Sequence, residues 1–116
     1  MRIGERSIGG VTVVDLAGKL TLTDGPGLVK DIVTSLILRG QQQIVLNLAE
    51  VSYIDSSGLG ELVACHLTAA RAGGAIKLAN ARRRVLDVLV LTRLLTIFEA
   101  HPSEEAAIMS FAGAAV

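Results

Sequence analysis

Ile44-Val45-Leu46-Asn47-Leu48-Ala49-Glu50-Val51-Ser52-Tyr53-Ile54-Asp55-Ser56-Ser57-Gly58-Leu59-Gly60 contains the change of hydrophobic period that sets the architecture. Ile44 to Leu48 is a short, near-continuous apolar run, the pattern of a central parallel strand covered on both faces. Ala49 to Ser57 reads as a loop. Leu59, Leu62, Val63, Leu67 and Ala70 then recur three and four apart, one stripe of a helix that ends at Gly73-Gly74.

The same alternation continues on either side. Downstream, Ala75 to Ala79 is a second buried strand, and Arg82 to Thr92 a helix with Val85, Leu86, Leu89 and Val90 inward. Thr96 to Glu99 is a last strand. Ser103 caps a terminal helix to Ala112 that packs through Ala106, Ala107, Met109 and Phe111. Upstream, Ile3 to Ile8, the turn pair Gly9-Gly10 and the β-branched run Val11 to Ala17, closing at Gly18, form a hairpin. Leu28, Val29, Ile32, Val33, Leu36 and Ile37 make an amphipathic helix that starts among Thr23, Asp24, Gly25 and Pro26 and stops at Gly40. The order β-β-α-β-α-β-α-β-α predicts an α/β domain over residues 1–116. Its sheet is mixed and mostly parallel, of about five strands with four helices, joined by right-handed crossovers.

Composition narrows the function. With 51% hydrophobic and 19% charged residues, the chain is a folding sequence rather than a disordered one. Eleven basic side chains balance eleven acidic ones, so there is no net field to hold a polyanion, and direct nucleic-acid binding is not expected. Apolar runs fall far short of the ~20 residues of a membrane span. Met1 to Gly10 carries Arg2, Glu5 and Arg6 and lacks the apolar core of a signal peptide. The lone Cys65 cannot form an internal disulfide, which suits a reducing compartment, and a cytoplasmic location is expected. Aromatics are only 3%, so the core must be aliphatic.

In such sheets function gathers where strand ends meet helix starts. The richest junction is Asp55 to Gly60. One reading is structural: Ser56 or Ser57 caps the helix, Asp55 accepts loop N–H bonds, and the glycines allow a tight turn. The other uses the unpaired N–H groups and partial positive charge of a helix start to host an anion, bound or carried on a serine. The spacing fits no nucleophile elbow, because Ile54 and Asp55 stand where the leading glycine belongs. Val63 replaces the third glycine of a dinucleotide loop, and no Gly-Lys pair is present for a phosphate-binding loop. His66 and His101 lack partners at ligand spacing, so no metal or cofactor is expected. Cys65 reads as a small buried hydrophobe. Arg82-Arg83-Arg84 is either a solvated face or a contact for an acidic partner.

The segment from Ile44 to Gly60 resembles the signature of STAS domains, particularly bacterial anti-sigma factor antagonists. The resemblance extends over nearly the whole chain, including Arg83-Arg84-Val85-Leu86-Asp87 to Leu94. It implies that Ser56 is a phosphoacceptor for an anti-sigma factor that is itself a serine kinase, with Ser57 a secondary candidate. Asp55, Ser56, Ser57, Gly58, Leu59 and Gly60 would form the partner-binding loop. The unphosphorylated form would bind the kinase and release a sigma factor, without catalysis of its own. Gly18-Lys19-Leu20-Thr21 departs from the family's Gly-Glu-Leu-Asp-like turn, so Thr21 lacks that charge and Asp24 is the nearest substitute. Thr21, Asp24, Arg82 and Arg83 are further candidate contacts. The alternative is a STAS scaffold or accessory subunit of a signalling or membrane transport complex, and a homodimer is open on either reading.

Overall fold

Gly9 and Gly10 both adopt positive φ, at 55° and 82°. This is the requirement of a two-residue hairpin turn whose twist matches its strands. They join β1 (Arg2–Ile8) to β2 (Val11–Leu20), which pair antiparallel from Ile8↔Val11 to Arg2↔Ala17. A computed structural model describes residues 1–112. After the hairpin come α1 (Leu28–Leu38), β3 (Gln43–Ile54), α2 (Ser56–Arg71), β4 (Ala75–Ala79), α3 (Arg83–Leu91), a 3-10 turn over Leu94–Thr96, β5 (Ala100–His101) and α4 (Glu104–Ala112). The five-stranded sheet has the order β1-β2-β3-β4-β5, parallel from β2 onward.

Alternation along the strands gives the sheet two apolar faces. Val14 and Leu16 of β2 and Ile44, Leu46 and Leu48 of β3 join Val29, Val33 and Leu36 of α1, Leu62, Cys65 and Ala69 of α2, and Val85 and Leu89 of α3. On the opposite face Val11, Val13, Val45 and Ala79 meet Ala107 and Phe111 of α4. Where α4 ends its cover, the second face turns polar. Arg6 grips both Asp15 and Glu104, and Asn47 Nδ2 donates to Asp15. Asn80 Nδ2 in turn donates to Asn47 Oδ1. The Arg6 guanidinium holds the Asp15 carboxyl below the usual carboxylate range.

Several sequence boundaries move. β2 does not close at Gly18 but continues to Leu20, and β3 takes up most of the expected loop from Ala49 to Ile54. The two run on together as Ala17↔Glu50, Gly18↔Val51, Lys19↔Tyr53 and Leu20↔Ile54, with irregularities between Asp15 and Ala17 and between Gly18 and Lys19. Each bulge breaks the two-residue period, so the pattern resembles a loop although the pairing persists. The inward side of α2 is Gly58, Leu62, Cys65 and Ala69, while Leu67 and Ala70 are exposed. Small residues bring the helix against the sheet, and a search for large apolar side chains selects the neighbouring stripe. Val90 and Met109 also point outward, because in each helix the side chain one position earlier or two positions earlier, Leu89 or Ala107, fills the sheet contact. The last strand is not Thr96 to Glu99. Arg93, at φ 61°, starts the 3-10 turn, Phe98 is buried, and pairing is confined to Leu78↔Ala100 and Ala79↔His101. Ser103 caps α4 as expected, its Oγ accepting the Ala106 N–H at 3.0 Å.

Leu89 and Val90, adjacent in sequence, should therefore differ sharply. Leu89→Ala should cost about 2–5 kcal/mol of stability. Val90→Ala should stay within about 0.5 kcal/mol of wild type. Midpoint shifts in urea at unchanged slope check both.

Candidate functional site

β2 and β3 end side by side at Leu20↔Ile54, and the next residue, Asp55, does three things at once. Its N–H donates to the Leu20 carbonyl at 3.0 Å. Its Oδ1 accepts the Gly58 N–H at 3.0 Å, making it the N-cap of α2, and its Oδ2 accepts the Leu22 N–H at 3.1 Å. These donors, Gly58 foremost, hold the Asp55 carboxyl below the usual carboxylate range against the opposing effect of desolvation. One aspartate thus starts the helix and ties it to the segment that follows β2.

Gly58 is required by space, not by φ. A Cβ there would lie 2.1 Å from the Leu20 carbonyl oxygen. Gly60 is under no such demand: nothing lies within 4 Å of the place its Cβ would occupy. Neither glycine makes a turn, since both are inside α2. Ser56 and Ser57 are the first two helical residues and both are exposed. The cap expected of one of them belongs to Asp55, so capping does not engage their hydroxyls. Of the amides of this first turn, that of Gly58 is taken by Asp55, whose carboxyl the Ser57 amide also favours, and that of Ser56 has no partner within the helix.

Glu61 is the residue that sequence reasoning missed. Its carboxylate reaches across to α1, where Oε1 accepts the Gly27 N–H at 3.2 Å and Oε2 the Lys30 N–H at 2.9 Å. It supplies the cap expected from Thr23 or Asp24; the N-cap position itself is Gly27, which has no side chain to offer. No local pattern signals this, because the donor helix and the acceptor side chain are 31 to 34 residues apart. Glu61 follows Ser57 by one helical turn, on the same side of α2, while Gly60 holds the equivalent place after Ser56.

Of the remaining candidates Thr21 adjoins this cluster, its chain neighbours Leu20 and Leu22 both bonding Asp55, and the others meet other parts of the fold. Asp24 binds the Met1 ammonium and accepts the Lys19 N–H at 2.9 Å. Thr21 is half-buried, and Leu59 packs half-buried against the core. Arg82 joins the start of α3 to β3, its Nε donating to the Ala49 carbonyl at 2.8 Å and its Nη2 lying 3.5 Å from Glu50. Arg83 pairs with Asp87 along α3. Leu22 (65% exposed), whose N–H bonds Asp55, and Tyr53 (46%), two residues before Asp55 on β3, are exposed apolar side chains. Cys65 is buried, and that burial pushes its thiol pKa up to about 12, far from a reactive thiolate. Among the described residues no group of three or more His, Cys, Asp or Glu side chains is placed to hold a metal ion, and no helix is long and apolar enough to cross a membrane.

The aspartate that follows β3 and caps α2, with two exposed serines after it, lies in the segment that carries the resemblance noted above. The family model described as STAS domain matches residues 5–107. The chain belongs to the STAS domain family. Over 92 residues this STAS domain is 29% identical to the anti-sigma-B factor antagonist of Bacillus subtilis (strain 168), covering 79% of this chain and 83% of that one. The crystal structure of an anti-sigma factor antagonist from Mycobacterium paratuberculosis superposes with a TM-score of 0.83 at 20% identity, covering 94% and 92% of the two chains. The Bacillus cell fate determinant SpoIIAA in its phosphorylated form superposes at 0.71 with 20% identity, covering 95% and 99%. At those identities the two structures establish the shared fold.

Two substitutions separate the glycines. Gly58→Ala should destabilise by about 1–3 kcal/mol, because the obstacle is backbone. Gly60→Ala should stabilise by up to ~1 kcal/mol, the helix-propensity difference. Thermal or urea unfolding distinguishes them. A third concerns pH. The folded pKa of Asp55 lies below its unfolded value of about 3.9, so its contribution to stability is complete above that value and lost as pH falls through the folded one. Asp55→Asn should therefore be less stable than wild type near neutrality, and the gap should close on acidification, as read from denaturation curves across that range.

Proposed function

We propose that this STAS domain, taken as residues 1–116, is a cytoplasmic anti-sigma factor antagonist of a bacterium that acts by binding. In its unmodified form the N-terminus of α2 docks on an anti-sigma factor that is a serine kinase, and the sigma factor held by that kinase is released. Transfer of a phosphoryl group from ATP to Ser56 Oγ, with ADP leaving, reverses the docking. The observation that carries this reading is the division of labour at the helix start. Asp55 provides the cap and the tie to Leu22, and Ser56 is left exposed with no structural duty.

A phosphate on Ser56 adds about −1.5 to −2 charges at pH 7, which the helix dipole and the neighbouring free amides offset within the domain. The fold is retained and the surface changes sign. A partner packed against that surface must then desolvate a dianion or oppose it with its own charges. Ser57 is the poorer acceptor: its phosphate would lie one turn from Glu61, whose carboxylate is needed at the start of α1. Leu22 and Tyr53 offer the apolar surface that a docking partner covers, and Gly60, which the fold does not need, leaves room for close approach. The curated relative and the phosphorylated neighbour are consistent with this reading.

The test compares wild type, Ser56→Ala, Ser56→Asp and Ser57→Asp for affinity to the cognate anti-sigma kinase and for phosphate uptake by intact mass. Ser56→Asp should bind more than ~100-fold more weakly, a loss of about 3 kcal/mol. Ser56→Ala should bind like wild type and take up no phosphate, and Ser57→Asp should lose thermal stability. Equal affinities with no phosphate on the wild type would refute the switch.

A further inference from the structure

β1 forms the edge of the sheet, and among the described residues nothing pairs with its outer side. All of its residues are exposed except Ile3, which is half-buried. Beside this edge, between β1 and α1, lies a groove of about 470 Å³ lined by Ile3, Glu5, Leu28, Asp31, Ile32 and Ser35. Ile3 and Ile32 pack down onto the core and form its floor, with Leu28 (40% exposed) as a wall. Two carboxylates stand on the rim. Glu5 faces the Arg39 guanidinium at 3.2 Å, whereas Asp31 has no ion pair among the described residues. α2 meets the start of α1 through Glu61, on the Gly27 and Lys30 amides, and contributes no residue to the groove lining, so this surface is separate from Ser56.

An open strand edge next to an apolar groove is the arrangement that captures extended segments by strand addition: main-chain bonds supply the affinity and alternate side chains enter the groove. A second copy of this chain is a poor occupant. Two β1 strands related by a two-fold axis pair antiparallel with residues of equal parity opposed. Centred on Gly4, that sets Arg2 against Arg6 twice; centred on Glu5 or Arg6, it sets the central charge against itself. Each of these registers juxtaposes like charges, which destabilises a pair of strands, and centring on Ile3 or Ser7 leaves only three residues of each β1 strand opposed.

We infer that the β1 edge and its groove bind an extended segment of a different protein, seating an apolar side chain on Ile3, Leu28 and Ile32 and placing a lysine or arginine two residues away against Asp31 and Glu5. This inference does not depend on phosphorylation of Ser56.

The probe is the acetylated peptide Thr-Val-Thr-Lys-Thr-Val-Thr, which presents valine and lysine on one face, with a control in which glutamate replaces the lysine. Amide-resolved NMR titration of the full chain should show shifts confined to residues 2–8 and 28–35, and slowed amide exchange along β1. The lysine peptide should bind at least ~10-fold more tightly than the control, a difference of about 1.4 kcal/mol. Glu5→Lys with Asp31→Lys should invert that preference, and Asp31→Lys alone, at an exposed position, should abolish it if the double variant does not fold. Absence of β1 shifts at millimolar peptide, equal binding of the two peptides, a preference unmoved by charge reversal, or β1 amides already protected in a dimer would each overturn the inference.

Discussion

The α2 helix can start where it does only because residue 58 has no side chain. With the Leu20 carbonyl oxygen 2.1 Å from the place a Cβ would take, any larger residue would force the helix away from the end of β2. The three hydrogen bonds of Asp55 would then lose their geometry together. Those bonds fix the ends of two adjacent strands, the first turn of α2 and the entry to the segment before α1. The rest of the domain is arranged around this close approach. The two bulges of β3 bring Leu20 and Ile54 into line beneath it, and the small residues Cys65 and Ala69 continue the close contact along the helix.

A consequence is that two helix starts depend on carboxylates of the same short stretch. Asp55 caps α2 and Glu61 caps α1, so the exposed serines lie beside carboxylates that each accept two backbone amides. On the function proposed above, an anion on Ser56 meets the helix dipole, whereas one on Ser57 also lies one turn from the Glu61 carboxylate. The asymmetry between Ser56 and Ser57 is therefore a matter of which neighbour follows one turn later, a glycine or a glutamate, and it needs no difference in the exposure of the two hydroxyls.

The sequence made the element order, the hairpin turn, β4 and the burial of Val29, Val33 and Leu36 legible because in each the hydrophobic period is unbroken. It misread the second half of β3, where two bulges destroy the period, the end of β2, where Gly18 reads as a stop although the period runs on to Leu20, and the inner stripe of α2, where small residues do the packing. At the site, Asp55, Ser56 and Gly58 were marked by their order along the chain. The particular role of each was not, because the cap could have come from any of three neighbouring polar residues. Glu61, Leu22 and Tyr53 could not be found that way: their positions follow from contacts between segments tens of residues apart, which no local pattern encodes.

The strands lie in the sheet in the order in which they occur in the chain. No strand has to be held open for a later arrival to insert between two earlier ones, unlike sheets whose order reverses. In chain order the hairpin is the first pair available, and each later strand extends the sheet on a single side. The search for long-range partners is thereby broken into short steps, which limits the loop-closure entropy that makes parallel sheets slow to assemble.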